Sequence, residues 1–193
     1  MNATISLVAI LIGSAVVLIA TIILYNRLVR SRLLVLEGFS GIDVQLKRRH
    51  CLIPNLLSTV KGYAQFERDV LEDVTRLRTQ LLGDTSVADK QRDENALSAA
   101  LKQLFAVVEN YPDLKANQNF LELQQELVEI EDTIQKARRY YNATVRDYNI
   151  RVGSFPSLLV AQLFAFRTAD FFELATSTER EVPHIAVDDS PNE

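Results

Sequence analysis

Positions 5–25, ISLVAILIGSAVVLIATIILY, hold 21 residues without a charge. As a helix at 1.5 Å per residue the run is about 31 Å long, the thickness of a hydrocarbon core, and it predicts one membrane-spanning helix. It is too long for a signal-peptide core, and neither a basic residue before it nor a small-x-small site after it suggests cleavage, so it reads as an uncleaved anchor. Downstream the pattern changes. Leu46, Ile53, Leu57, Val60, Ala64, Leu71 and Val74 form one stripe and Leu52, Leu56, Tyr63, Phe66, Val70, Leu77 and Leu81 a neighbouring one, which predicts a helix over 46–81 with a wide apolar face. Pro54 falls inside it and predicts a kink or a restart there. After the break at 83–86, a second helix fits residues 87–111, with Leu97, Leu101, Leu104, Phe105 and Val108 on one side, ended by Pro112 and Asp113.

The strongest periodicity is Phe120, Leu123, Leu127, Ile130, Ile134, Ala137, Tyr141, Val145, Tyr148 and Val152, a stripe of alternating three- and four-residue steps over more than four heptads. The charges of this third helix are sorted, acids in its first half and bases in its second. The helix dipole acts only over terminal turns, so the sorting predicts an antiparallel neighbour of opposite gradient. Asn117, Gln118 and Asn119 stand where side-chain amides cap its start. GSFP at 153–156 ends it, and Ser157 is placed to cap a fourth helix reaching about residue 175. The fold class is therefore all-α: an N-terminal transmembrane helix continuing into an antiparallel bundle of three to four long helices. The domains are an anchor over 1–26, a bundle over 27–175 and a tail over 176–193. Five acids against one Arg make that tail acidic and predict disorder.

Composition adds exclusions. Six Gly, five Pro and no Trp leave little punctuation for a many-stranded sheet. One Cys and two His (Cys51, His50, His184) cannot make an internal disulfide or close a four-ligand zinc site within one chain. Residues 27–61 carry seven bases and two acids beside the predicted membrane surface, and Arg27, Arg30 and Arg32 immediately after the span place the C-terminal domain in the cytoplasm by the positive-inside rule. Lys47, Arg48 and Arg49 spread around the helix and read as a solvated basic collar rather than an active site. With Arg27, Arg30 and Arg32 they are candidate contacts to anionic lipid or to a partner. His50 and Cys51 are adjacent and point about 100° apart, which argues against a catalytic dyad; Cys51 reads as a small buried residue. Tyr141 and Tyr148, with Tyr140, Asn142 and Asn149, form an unusual polar-aromatic cluster whose rings are expected in the core and whose hydroxyls need polar partners. Residues 158–166, LLVAQLFAF, are apolar nearly throughout and too short to span. They are expected to pack on the bundle, or to leave Leu159, Leu163, Phe164 and Phe166 for a second subunit or the membrane interface.

The runs GIDVQLKRR at 41–49, LIPNLL at 52–57 and VKGYA at 60–64, followed by YPDLKANQNFLE at 111–122 and ARRYYNATVRDYN at 137–149, resemble the signature blocks of the bacterial LemA family. The Tyr25-Asn26 pair also matches. Phe39 stands where relatives usually have Trp, Cys51 where they have Asp, and Phe66 where His is common. The resemblance implies a small membrane-tethered helical bundle with no established enzymatic activity, one branch of which takes part in building magnetosome membranes. The expected function is a non-enzymatic scaffold at the bacterial cytoplasmic membrane that self-associates or organises other membrane proteins. It would need no cofactor, metal, nucleic acid or small-molecule substrate. The alternative is an adaptor of an envelope enzyme such as a membrane protease.

Overall fold

A computed structural model of the chain describes residues 2–62, 68–81 and 87–172; the expected break at 83–86 and the acidic tail lie outside them. Six helices and no strand occur among the described residues: α1 (Asn2–Lys61), α2 (Arg68–Gln80), α3 (Val87–Val108), α4 (Pro112–Lys115), α5 (Gln118–Gly153) and α6 (Ser157–Leu163). The first third of α1 is apolar and exposed on every side, long and apolar enough to cross a membrane. No break separates it from the bundle.

From residue 28 onward α1 buries Leu28, Ser31, Val35, Gly38, Ile42, Leu46, Arg49, Ile53, Leu56 and Val60, a continuous three-four repeat. This stripe meets its counterpart on α5, which runs antiparallel, so that Ser31 faces Arg151 and Arg49 faces Glu131. The pattern read as starting at Leu46 thus starts 18 residues earlier, where the charges of Arg27, Arg30, Arg32 and Glu37 on the outer face hide it. The predicted helix over 46–81 is two helices: α1 ends at Lys61 and α2 begins at Arg68. Nor does Pro54 restart α1. It leaves the His50 carbonyl without its helical N–H donor, and Arg78 Nε of α2 reaches that oxygen at 3.3 Å.

Two apolar cores lie along the α1–α5 pair. The distal core joins Ile53, Leu56 and Val60 to Val74 of α2, Leu97 and Leu104 of α3, and Phe120 and Leu127 of α5. The proximal core joins Leu28, Ile42 and Leu46 to Ile134, Tyr141, Val145 and Tyr148. Asn117 caps α5 as expected, its Oδ1 accepting the Phe120 N–H at 3.1 Å. At Gly38 the long helices pack closely: an added Cβ would lie 3.2 Å from the Tyr141 Cα. Gly41 has open space around it. Gly38→Leu is expected to lower the thermal midpoint of the detergent-solubilised chain, a loss of about 2–3 kcal/mol from overpacking. Gly41→Ala should raise it, by about 1 kcal/mol of helix propensity.

The fourth helix does not reach residue 175. It stops at Leu163 in a Schellman closure, with Phe166 N–H donating to Ala161 O at 2.9 Å and Ala165 N–H to Gln162 O at 3.3 Å around an Ala165 of φ 54°. Its cap also differs from expectation. Pro156 precedes it, and the Ser157 hydroxyl donates to the carbonyls of Arg151 and Ser154. Residues 166–172 then run extended along α5, antiparallel to it, and finish the proximal core where a helix was expected.

Candidate functional site

The base of the bundle is built around Tyr25, where the apolar stretch of α1 ends. Its ring packs on Phe164 (4.8 Å between centroids) and Phe166 (5.7 Å), so that α6 sits beside the exit of that stretch. Val160 and Ala161 turn inward from α6 and are buried; Leu159 and Leu163 turn outward, Leu163 with 74% of its surface exposed and Phe155 in the preceding turn with 79%. The segment 158–166 therefore divides between the two expectations, one face packed and one bare.

Above this apolar ring stand the arginines. Arg27, Arg30 and Arg32 are exposed, and no carboxylate pairs with them among the described residues. Arg151 reaches across from α5 and donates from Nη1 to the Ser31 hydroxyl, which itself donates to the Arg27 carbonyl at 2.8 Å. A groove of about 590 Å³ opens between α1 and the α5–α6 turn, lined in part by Arg27, Arg30 and Arg151 with Leu24 and Leu28. A smaller one, about 290 Å³, has Arg32 and Arg167 in its walls. The charge sorting of α5 is explained here, and not by a neighbour of opposite gradient: α1 runs antiparallel yet is also basic at this end, so the two positive ends add.

The other candidate bases lie elsewhere. Lys47 and Arg48 are exposed but about 33 Å and 35 Å beyond Tyr25 along α1. Lys47 pairs with Asp43 at 2.8 Å, and Lys90 meets the same carboxylate. These two ammonium groups hold the Asp43 carboxyl below its ordinary value. Arg49 is no part of a solvated collar. It is 1% exposed and sits between the two cores in a polar layer with Glu94, Glu131 and Ser98. Helical geometry decides this, because position 49 falls on the buried stripe and position 51 opposite it; Cys51, expected to be buried, is exposed.

The sequence profile of the LemA family matches residues 38–186, more than half of the chain. This chain belongs to the LemA family. It is 28% identical over 169 residues to Protein LemA of Metamycoplasma hominis, covering 86% of this chain and 74% of that one. It is 27% identical over 195 residues to Magnetosome protein MamQ 2 of Paramagnetospirillum magneticum, covering 87% and 72%. To Magnetosome protein MamQ of Magnetospirillum gryphiswaldense it is 23% identical over 159 residues, covering 69% and 58%. The LemA match begins at residue 38, so it contains the polar layer and leaves the apolar span outside.

In this LemA-family bundle the polar layer also holds Glu94, fully buried, and Arg138, neither of which periodicity singled out. His50 Nε2 stands 2.9 Å from Glu94 Oε1. Arg138 donates to Asn95 at 3.3 Å and lies under the Phe172 ring, 4.7 Å from its centroid. Burial pushes the Arg138 guanidinium below its ordinary value against the pull of Glu131 and Glu94. Burial alone would raise the Glu94 carboxyl, but the His50 imidazole and the Arg49 charge outweigh it and hold the group below its ordinary 4.5. A carboxyl held low in the folded state contributes stability above its unfolded pKa and loses it as pH falls through the folded one. The melting midpoint is therefore expected to hold from neutral pH down to about 5 and to drop below about 4.5. Glu94→Gln, weaker at neutral pH, should lose less on further acidification.

Proposed function

We propose that this LemA-family protein is a non-enzymatic scaffold anchored in the bacterial cytoplasmic membrane by the first third of α1, with its bundle on the cytoplasmic side and its base seated in the membrane interface. The observation that carries this reading is the bare apolar face of Phe155, Leu159 and Leu163 at the level where the apolar span ends. Nothing among the described residues covers this face; at a headgroup boundary each buried leucine contributes about 1.5–3 kcal/mol. The arginines above it, which meet no carboxylate among the described residues, favour the cytoplasmic side. A second exposed stripe on α1, Leu33, Leu36 and Val44, supports contact with other copies or other membrane proteins.

Leu163→Cys in a Cys51→Ser background, carrying an environment-sensitive fluorophore, is expected to emit to the blue in reconstituted bilayers and to be quenched by lipid-borne quenchers. The same label at Lys102, exposed on α3, should report water. Equal, water-like emission at both positions would remove the interfacial base. Crosslinking in native membranes is expected to trap homomeric complexes; one stoichiometric enzyme in their place would replace the scaffold by an adaptor.

A further inference from the structure

We propose that the groove between α1 and the α5–α6 turn binds the phosphodiester of one anionic phospholipid, drawn from the membrane in which the chain is anchored. This rests on the membrane reading above and adds a defined site to it. Three guanidinium groups, those of Arg27, Arg30 and Arg151, border the groove, which has the volume of a small-molecule site. Two of them have no carboxylate partner among the described residues. The third is held in place through Ser31 by one Nη1, which leaves the rest of its fork free. Guanidinium forks match the paired oxygens of a phosphate, and their geometry makes such contacts bidentate where a lysine would give a point charge.

The level fits as well. Arg27 and Arg30 rise about 3 Å and 7.5 Å beyond Tyr25, and the polar headgroup layer on each side of a bilayer is about 5–7 Å thick. Leu24, at the edge of the hydrocarbon, gives the acyl chains an apolar wall leading away from the charges. Three cations around one phosphodiester leave an excess of positive charge. A zwitterionic headgroup brings a further cation into that field, and an anionic one does not, so the groove selects for anionic lipid. The second groove has two arginines and half the volume, and Arg32 stands about 10.5 Å beyond Tyr25, past the headgroup layer whose outer edge Arg30 reaches. Arg146, on the same half of α5, is paired with Asp147 at 3.0 Å and serves as an internal control.

The test is native mass spectrometry of the full chain, extracted in mild detergent, delipidated and supplied with phosphatidylglycerol or phosphatidylcholine. One phosphatidylglycerol per chain should be retained at least tenfold more tightly than phosphatidylcholine. Arg27→Gln with Arg30→Gln should abolish the preference and Arg151→Gln should weaken it at least fivefold, whereas Arg146→Gln should match the parent. Helicity and melting midpoint are measured on each variant. Should Arg151→Gln fail to fold, the exposed pair Arg27 and Arg30 carries the result. Equal retention of both lipids, or equal loss in Arg146→Gln, would overturn the site. Displacement of phosphatidylglycerol by millimolar inorganic phosphate would also overturn it and assign the groove to a soluble anion. The particle mass from the same spectra reports separately on the scaffold: homomeric complexes without lipid preference overturn only the groove, and lipid preference in a strict monomer overturns only the scaffold.

Discussion

Glu94→Ala is expected to destabilise the bundle by about 3–5 kcal/mol, the largest effect of any single substitution in the polar layer. Glu94 is fully buried, and its two carboxylate oxygens face Arg49 on one side and His50 on the other. Removing the carboxylate leaves Arg49 with Glu131 as its one remaining carboxylate, and leaves the buried Arg138 guanidinium without one of the two negative charges that offset its desolvation. The loss is measured by thermal or denaturant unfolding of the detergent-solubilised chain followed by circular dichroism. A coupled cycle separates this from simple loss of packing. Arg49→Leu with Glu94→Leu should be less destabilised than the sum of the two single variants, because the double change leaves no orphaned charge between those two positions. Additive losses would mean that the ion pair itself contributes nothing.

The second large effect is local. Asn142→Ala with Asn149→Ala is expected to free the extended segment 166–172 while leaving α1 and α5 paired. Each of these asparagines binds the segment twice: Asn142 donates to Phe172 O and accepts from Phe172 N–H, and Asn149 does the same with Ala169, all at 2.8–2.9 Å. Tyr141 and Tyr148 add their hydroxyls to the carbonyls of Asp170 and Arg167. Burial pushes both phenols above their ordinary value and so keeps them protonated donors. Four lost bonds of about 1 kcal/mol each lower the free energy needed for local opening by about 4 kcal/mol, roughly a thousandfold faster hydrogen exchange at the Ala169 and Phe172 amides. Exchange at α5 core amides should move far less. Uniform loss of protection across α5 would mean that the segment is integral to the whole bundle.

The repeat of the Tyr-Asn pair at seven-residue spacing is thus a ruler. Seven helical residues rise about 10.5 Å, and three extended ones span about 10 Å, so Asn142 and Asn149 meet Phe172 and Ala169 in register. The cluster was legible in the sequence as polar-aromatic and in need of partners. That the partners are backbone groups of an extended segment was not, since a helix to residue 175 satisfied the same apolar spacing. The deciding residue is Ala165, whose left-handed φ carries none of the glycine signal that usually marks such a turn.

The apolar span, the stripe of α5 and an antiparallel all-α bundle follow from periodicity and length; the unbroken α1, its end at Lys61 and the short α6 do not. The basic base was half visible. Arg27, Arg30 and Arg32 stand out beside the span, but Arg151 and Arg167 reach it only through tertiary folding, from 124 and 140 residues beyond Arg27. Arg49 shows the opposite failure. In the run KRR it reads as one of three solvated charges, and only its place on the stripe from Leu46 to Ile53 distinguishes it. Burial of such a residue needs a carboxylate from a distant helix, and Glu94 lies in a segment whose own charges conceal it.

Because α1 passes from its apolar third into the bundle without a hinge, the two parts behave as one lever. Its far end, at Lys61, lies about 54 Å beyond Tyr25. A tilt of about 20°, the average for helices in a bilayer, swings that end about 18 Å sideways. In a membrane-anchored chain, any change of that tilt would thereby become a change in the lateral reach of the head.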